Sequence, residues 1–246
     1  MGEAAATERA IDDLRRRWGP GVVRRGVAAP LLASARGCGV AALDALLGPR
    51  GLPDGLTLLR GPVGSGRTTV ALRAVAATQR AGGATAWIDA ARTFDPLEAA
   101  TRGAALGALP IVVPAHVDEA LAAAGALLAA DAVDLLVLDL DGLRADVAAL
   151  ERLATRARRT GAALVAITGA APLADLAIDY RVEAWLRYGA DTVGRRIGAT
   201  LGSGPRRGAS AHFDIYEGRG VRADLRIGRL VAEEVPCARS TFTGHA

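Results

Sequence analysis

The stretch GPVGSGRTT, from Gly61 to Thr69, decides how the rest of this chain is interpreted. It fits the pattern G-x-x-x-x-G-K-[ST] of a phosphate-binding loop, with Arg67 in the lysine position. An apolar segment that predicts a strand, Leu56–Arg60, comes before it, and an amphipathic segment that predicts a helix, Thr68–Ala81, comes after it. A glycine-rich turn alone is a weak signal. This strand and helix are the context that such a loop requires, and they favour it over a purely structural turn.

The residue types in the loop suit phosphate chemistry. Backbone N–H groups from Gly64 to Thr68 would form an anion-binding nest at a helix N-terminus, and Gly61 and Gly66 permit the turn. The Thr68 hydroxyl would face Mg²⁺, and Asp139 stands at the end of a strand where a carboxylate holds that ion through water. The predicted nucleotide-binding residues are Gly61, Gly64, Ser65, Gly66, Arg67, Thr68, Thr69 and Asp95, and the predicted Mg²⁺ ligands are Thr68 and Asp139.

Outward from the loop, apolar strands alternate with helices. Strands that are apolar throughout and separated by helices predict a parallel sheet covered on both faces. After about Asp179, the runs RVEAWLRYG, RIGATLGSG and AHFDIYEG predict antiparallel strands that extend it. The predicted class is α/β, a mainly parallel sheet flanked by helices, with antiparallel strands at its C-terminal side. The further strands are predicted at Thr85–Asp89, Leu135–Asp139 and Ala163–Thr168, with a short buried strand at Ile111–Val113. The further helices are predicted at Ala41–Gly48, Pro96–Leu106 and Ala145–Arg159, and at Asp118–Ala129 with Asp118 as its N-cap.

Composition bounds the function. The chain has 246 residues, is 51% hydrophobic and only 4% aromatic, and all 30 of its basic residues are arginine. The core must therefore be built from Ala, Val, Leu and Ile, with Trp87 and Trp185 expected inside it.

The net charge of +4 permits nucleic-acid binding without demanding it, and the arginine clusters fit either a partner surface or solvated faces. The isolated Cys38 and Cys237 indicate neither metal nor disulfide chemistry. The sequence predicts no membrane span or signal peptide, so we expect a cytoplasmic protein.

The order of its motifs makes the chain resemble bacterial RecA, the DNA-strand-exchange ATPase, over roughly Thr7 to Val231. The resemblance implies a RecA-like core at 36–231, after an N-terminal helix and lead-in strand at 1–35 and before a flexible tail at 232–246. In RecA that helix docks on the neighbouring protomer, so self-association is one expectation. The segments that carry the resemblance are AIDDLRRRWGPG, GVAALDALLGPRGLPDG, AWIDAARTFDP, VDLLVLDLDG and AHFDIYEGRGV.

The departures from RecA fall on its catalytic residues. Ala91 stands where RecA has the glutamate that activates water, and Gly169 stands where it has the glutamine that senses the γ-phosphate. Glu98, counted from Asp95, takes the place of the adenine-stacking tyrosine. At the lysines that RecA supplies across its filament interface, this chain has Leu201 and Ser203. The resemblance therefore implies that ATP and Mg²⁺ could bind, while efficient hydrolysis is not expected.

The expected DNA-contacting segments are short, and GAAPLADLAIDY contains no basic residue. Shortened chains of this kind resemble the accessory group that includes ImuA and the SulA-like proteins. ImuA-type proteins accompany an error-prone polymerase in damage-induced mutagenesis. Three hypotheses follow: a non-catalytic adaptor that binds RecA or an ImuB-like error-prone polymerase, a DNA-dependent ATPase or recombinase, and a slow ATP-binding switch. We favour the adaptor, with weak or no direct DNA binding.

Overall fold

The computed structural model describes residues 36–169, 172–217 and 230–234. The predicted N-terminal helix and most of the predicted C-terminal tail lie outside these residues.

Two of the helices begin at aspartate caps. Asp95 caps α3, because its carboxylate accepts hydrogen bonds from the backbone N–H groups of Leu97 and Glu98. Asp146 caps α5 in the same way, and that helix ends at Gly161 in the left-handed region. The helices are α1 (Ala41–Leu47), α2 (Arg67–Arg80), α3 (Pro96–Thr101), α4 (Val117–Ala129) and α5 (Val147–Thr160), with a 3-10 turn at Leu106–Ala108.

Two helix predictions need correction. The helix predicted from Pro96 to Leu106 ends at Thr101, because Gly103 adopts a φ of 94° and breaks it before the 3-10 turn. Asp118 does not cap α4; His116 is the N-cap residue and makes no side-chain capping bond, so Asp118 lies in the first turn. An acid there still interacts favourably with the helix dipole.

Within the described residues the strands form one nine-stranded sheet, mainly parallel with antiparallel strands at its C-terminal side as the sequence predicted. Six strands run parallel in the order β3-β2-β4-β5-β1-β6, and β7 and β8 continue the sheet with antiparallel pairing. The last strand pairs antiparallel with the second half of β6 and crosses the predicted core boundary at residue 231. The strands are β1 (Gly55–Arg60), β2 (Thr85–Asp89), β3 (Ile111–Val112), β4 (Leu135–Asp139), β5 (Ala163–Ile167), β6 (Leu176–Tyr188), β7 (Asp191–Leu201), β8 (Ser210–Tyr216) and β9 (Leu230–Glu234).

The core lies on both faces of the parallel strands, which explains why those strands are apolar throughout. In β4, Leu135 and Val137 belong to the cluster that packs against α2, while Leu136 and Leu138 belong to the cluster beneath α4 and α5. Trp87 is fully buried, as predicted. Among the described residues no helix has the length and apolarity to cross a membrane.

Two burial predictions were wrong. The strand at Ile111–Val112 is not a buried strand but the edge of the sheet, with Ile111 39% exposed. Trp185 is 38% exposed and lies in the half of β6 that continues past its parallel pairing with β1 and pairs antiparallel with β7 and β9. Apolar composition alone could not separate a central strand from an edge strand.

The sheet brings the predicted site residues to one edge. Strands β1, β2, β4 and β5 are parallel, so their carboxyl ends meet there. Asp89, Asp139 and Ile167 pair in register on three adjacent strands. The loop that follows Arg60 starts at the same edge. Ligands of open α/β sheets bind at such an edge.

Candidate phosphate-binding site

The loop between β1 and α2 has the backbone shape that the sequence predicted. Gly61 and Gly66 adopt φ values of 142° and 90°, in the left-handed region that favours glycine. A Cβ on Gly61 would lie 2.4 Å from the backbone oxygen of Tyr180, and one on Gly66 would lie 2.6 Å from Cδ1 of Ile215. Both positions therefore require glycine for conformation and for space.

The loop offers a cradle that fits a phosphate group. Helix α2 begins at Arg67, so its unpaired N–H groups face the loop. Ser65 is fully buried, and its hydroxyl has no hydrogen-bond partner among the described residues. A buried hydroxyl without a partner is costly, and a bound phosphate oxygen would supply one. Thr68 is half-buried and Thr69 is buried in the first turn of the helix.

Arg67 is engaged in an ion pair with Asp141. Its guanidinium donates two hydrogen bonds to the carboxylate of Asp141, at 3.0 and 2.9 Å, and its side chain is only 6% exposed. A bidentate arginine–carboxylate pair in a poorly solvated position is a strong interaction. A phosphate group would have to compete with Asp141 for this arginine.

The carboxylate of Asp139 is also engaged by neighbouring groups. It is fully buried, and its two carboxylate oxygens accept hydrogen bonds from the Thr93 hydroxyl at 2.9 Å and from the Asp141 backbone N–H at 3.1 Å. Burial raises the pKa of the Asp139 carboxyl, against the opposing effect of these hydrogen bonds. Mg²⁺ needs exposed oxygen ligands and retains several waters. The phosphate half of the predicted site therefore fits its ligand, whereas the metal half, as arranged here, does not.

Ala91 lies in a loop wound around two buried acids. The Asp89 carboxylate accepts backbone hydrogen bonds from Thr93 and Phe94, at 2.9 and 3.2 Å. The backbone N–H of Ala91 donates to the Asp139 carbonyl oxygen at 3.2 Å. The loop is thus held beside the strand end, and the side chain of Ala91 there is a methyl group that cannot accept a proton.

The remaining predicted positions serve local structure. Asp95 caps α3, so its carboxylate already has two N–H partners. Glu98 forms an ion pair with Arg102, whose guanidinium also donates to the Tyr216 carbonyl oxygen at 3.2 Å. Gly169 is exposed just after β5, and nothing lies within 4 Å of where its Cβ would be.

Sequence reasoning missed Asp141 and Thr93, the two residues that engage Arg67 and Asp139. One signal was available for Asp141, since it lies two residues after a predicted metal ligand and is itself acidic. Thr93 carried no such signal, because the winding of its loop around Asp89 brings it to Asp139.

Comparison with known proteins relates the chain to one family. The family described as RecA N-terminal domain matches residues 5–165, more than half of the chain. Protein RecA of Brevibacillus brevis is 39% identical over 137 residues, which cover 55% of this chain and 39% of that protein. Protein RecA of Chlorobium chlorochromatii is 37% identical over 170 residues, which cover 65% of this chain and 48% of that protein. The chain matches less than half the length of these relatives.

A solved structure supports the fold. The crystal structure of the RadB recombinase superposes with a TM-score of 0.57 at 20% identity, covering 73% of this chain and 96% of that one. At this identity the likeness concerns the arrangement of helices and strands.

Proposed function

Because this chain belongs to the RecA family, we propose that it acts in DNA repair as a non-catalytic RecA-like adaptor in damage-induced translesion mutagenesis. It would bind RecA, an error-prone polymerase of the ImuB kind, or both, and modulate them. The RecA-like core would serve as a scaffold, and ATP turnover would not be part of its action.

The observation that carries this proposal is how the residues beside the phosphate loop, at the carboxyl ends of the parallel strands, are occupied. Ala91 offers no base, Asp139 is buried with both oxygens hydrogen-bonded, and Arg67 is paired with Asp141. Loss of a general base typically costs about 10²–10⁴ in rate. Loss of a charge-stabilising cation costs about 10³–10⁵. Even one of these losses would make turnover negligible.

The alternative of a DNA-dependent recombinase has less support. The segment between β4 and α5 contains only residues 140–146, and it includes Asp141 and Asp146 beside the single arginine Arg144. Surfaces that track single-stranded DNA need a continuous groove of positive charge.

A measurement of ATP turnover distinguishes the adaptor from the recombinase. The purified full chain is incubated with ATP and Mg²⁺, with and without single-stranded DNA, beside a bacterial RecA. We expect phosphate release on the order of 1% or less of the RecA rate, without DNA stimulation. DNA-stimulated turnover that Arg67→Ala abolishes would overturn the adaptor.

Partner binding tests the positive half of the proposal. The tagged chain is used to capture proteins from damage-treated cells, followed by direct binding of each purified candidate. We expect recovery of RecA or of a Y-family polymerase, with binding that survives Arg67→Ala. Recovery of neither would contradict the adaptor and leave only family membership.

A nucleotide-binding switch is the second candidate, and the phosphate cradle favours it. The positive-φ glycines, the start of α2 and the unpartnered Ser65 hydroxyl all suit a phosphate group. Such a switch would bind ATP without rapid turnover, and nucleotide would change partner affinity. Titration with ATP during the partner-binding measurement tests this: a switch requires a shift in that affinity, and an unchanged affinity excludes it.

A further inference from the structure

One face of the antiparallel strands lies against the phosphate loop. Arg195 pairs directly with Ile215, and Ile197 pairs with Phe213, so these four side chains share a face of β7 and β8. The side chains of Ile215 and Ile197 lie 2.6 and 3.5 Å from where a Cβ on Gly66 would be. The strands therefore pack on the loop, and Arg195 is the charged member of the contacting face.

Arg195 reaches the outer part of the loop. Its Nη1 atom lies 3.5 Å from where a Cβ on Gly64 would be, which is ordinary van der Waals distance. Gly64 is an exposed loop residue with a φ of 80°. This places a guanidinium beside the nest of N–H groups that the loop and α2 form.

The donors of Arg195 are only partly engaged. Its side chain is 20% exposed and pairs with Glu217 through a single contact of 3.3 Å between Nη2 and Oε1, and Glu217 is 48% exposed. Its Nε atom is buried and has no hydrogen-bond partner among the described residues. A single, half-exposed ion pair contributes little to stability, so the cost of releasing this arginine is low.

The two arginines near the loop differ in this respect. Arg67 gives two short hydrogen bonds to Asp141 and is 6% exposed, whereas Arg195 makes one longer contact and keeps a buried donor unsatisfied. Withdrawing Arg67 from Asp141 would break a bidentate, poorly solvated pair, which is costly. Of these two described arginines, Arg195 is therefore the one more available to an incoming anion.

We propose that Arg195 binds the phosphate group at this loop and takes the part that the loop motif assigns to Arg67. The anion would accept from the loop N–H groups, the Ser65 hydroxyl and the Arg195 guanidinium. The ligand class is a phosphate group, carried by a nucleotide or present as a free inorganic anion. This inference rests on the second candidate function, that the loop binds phosphate.

Calorimetric titration of the full chain with pyrophosphate, and separately with ATP, tests the proposal. Arg195→Gln is expected to weaken binding at least about 10-fold, the usual size of a lost charge-assisted hydrogen bond. Arg67→Gln is expected to weaken it less than about threefold, and Arg195→Lys to retain part of the affinity. If Arg195→Gln weakens the binding of both pyrophosphate and ATP, the site binds a free inorganic anion. If the unaltered protein binds ATP but not pyrophosphate, and Arg195→Gln weakens ATP binding, the ligand is a nucleotide.

The matched control is Arg196→Gln. Arg196 is the adjacent residue of β7, points to the opposite face and forms a bidentate pair with Asp214. Its replacement removes the same charge and should leave anion affinity unchanged. Arg67→Gln alone leaves Asp141 without its partner and could misfold. The double variant Arg67→Gln/Asp141→Asn removes both charges of the pair, so it tests the role of Arg67 even if the single variant does not fold.

The proposal is overturned if Arg195→Gln binds within threefold of the unaltered protein, if Arg67→Gln and the double variant lose more affinity than Arg195→Gln, or if the unaltered protein binds neither ligand. The adaptor proposal is judged by turnover and partner recovery. Either can therefore fail without the other.

Discussion

The phosphate loop and the neighbouring strand ends lie at the same edge of the sheet, yet they differ in what they preserve. In the loop, the backbone turns at Gly61 and Gly66 and the start of α2 have the geometry that suits an anion. At the ends of β2 and β4, Asp89 and Asp139 are buried and accept hydrogen bonds from their own surroundings.

The difference shows that binding and catalysis depend on separate parts of a phosphate site. Backbone N–H groups bind an anion whatever side chains surround them, provided that the glycines remain. Catalysis needs particular side chains that are free to act in the transition state. In this chain the loop has the backbone shape that suits the first requirement, whereas Arg67 and Asp139 are already engaged by Asp141 and Thr93.

The largest effect is expected from a change that breaks the loop. Gly61→Val would place a branched side chain against the Tyr180 carbonyl at a positive φ, so we expect a loss of about 3 kcal/mol or more in the free energy of unfolding, and no pyrophosphate binding. Urea unfolding and calorimetry measure both. Gly107→Ala, where nothing lies within 4 Å of the added methyl, serves as the control and should change stability by less than about 1 kcal/mol. Equal effects would contradict the strained loop.

A smaller loss is expected at the strand ends. Asp141→Ala leaves Arg67 poorly solvated and unpaired, which should cost about 2 kcal/mol, less than for a fully buried pair because Asp141 is 28% exposed. Saturating pyrophosphate should then stabilise this variant more than the unaltered protein, since the released arginine can bind the anion. Arg152→Ala is the control: this residue is 71% exposed and should shift stability by no more than about 0.5 kcal/mol. Identical stabilisation of both proteins by pyrophosphate would show that Arg67 stays away from the anion.

A stabilising change is expected at Asp139. Burial raises the pKa of this carboxyl in the folded state, so its ionised form opposes folding, increasingly as the pH rises from the unfolded-state pKa through the folded-state pKa. Asp139→Asn should therefore raise the free energy of unfolding at neutral pH. The gain should shrink as the pH falls through the raised folded-state pKa towards the ordinary pKa of an aspartate. Thermal unfolding from pH 4 to 8 checks this. A gain that is constant with pH would exclude the charge as its cause.

The smallest effect is expected from restoring the missing acid alone. Ala91→Glu should leave ATP turnover within about threefold of the unaltered chain, because Arg67 and Asp139 remain engaged. The same assay on Ala91→Gln separates the carboxylate from its volume. ATP turnover that rises towards the RecA rate in Ala91→Glu would show that the missing glutamate alone accounts for the low turnover.

The sequence predicted most of the fold because its signals are local. Alternating apolar strands and helices gave the parallel sheet, and the predicted bounds of β2 and β4, Thr85–Asp89 and Leu135–Asp139, were confirmed. Trp185 and Ile111 were wrongly placed in the core, because burial at the margins of a sheet depends on which neighbours cover each strand. The nucleotide-binding role of the predicted loop residues stays a prediction.

What the sequence determined by itself is the phosphate loop and its position between β1 and α2, since glycine spacing and helix patterning act within a few residues. What only the tertiary structure decided is how the charges around that loop are engaged. Arg67 meets Asp141, 74 residues away, and Arg195 reaches Gly64 from the antiparallel strands. These contacts follow from sheet order and side-chain direction, which bring together charges that no local pattern in the chain relates.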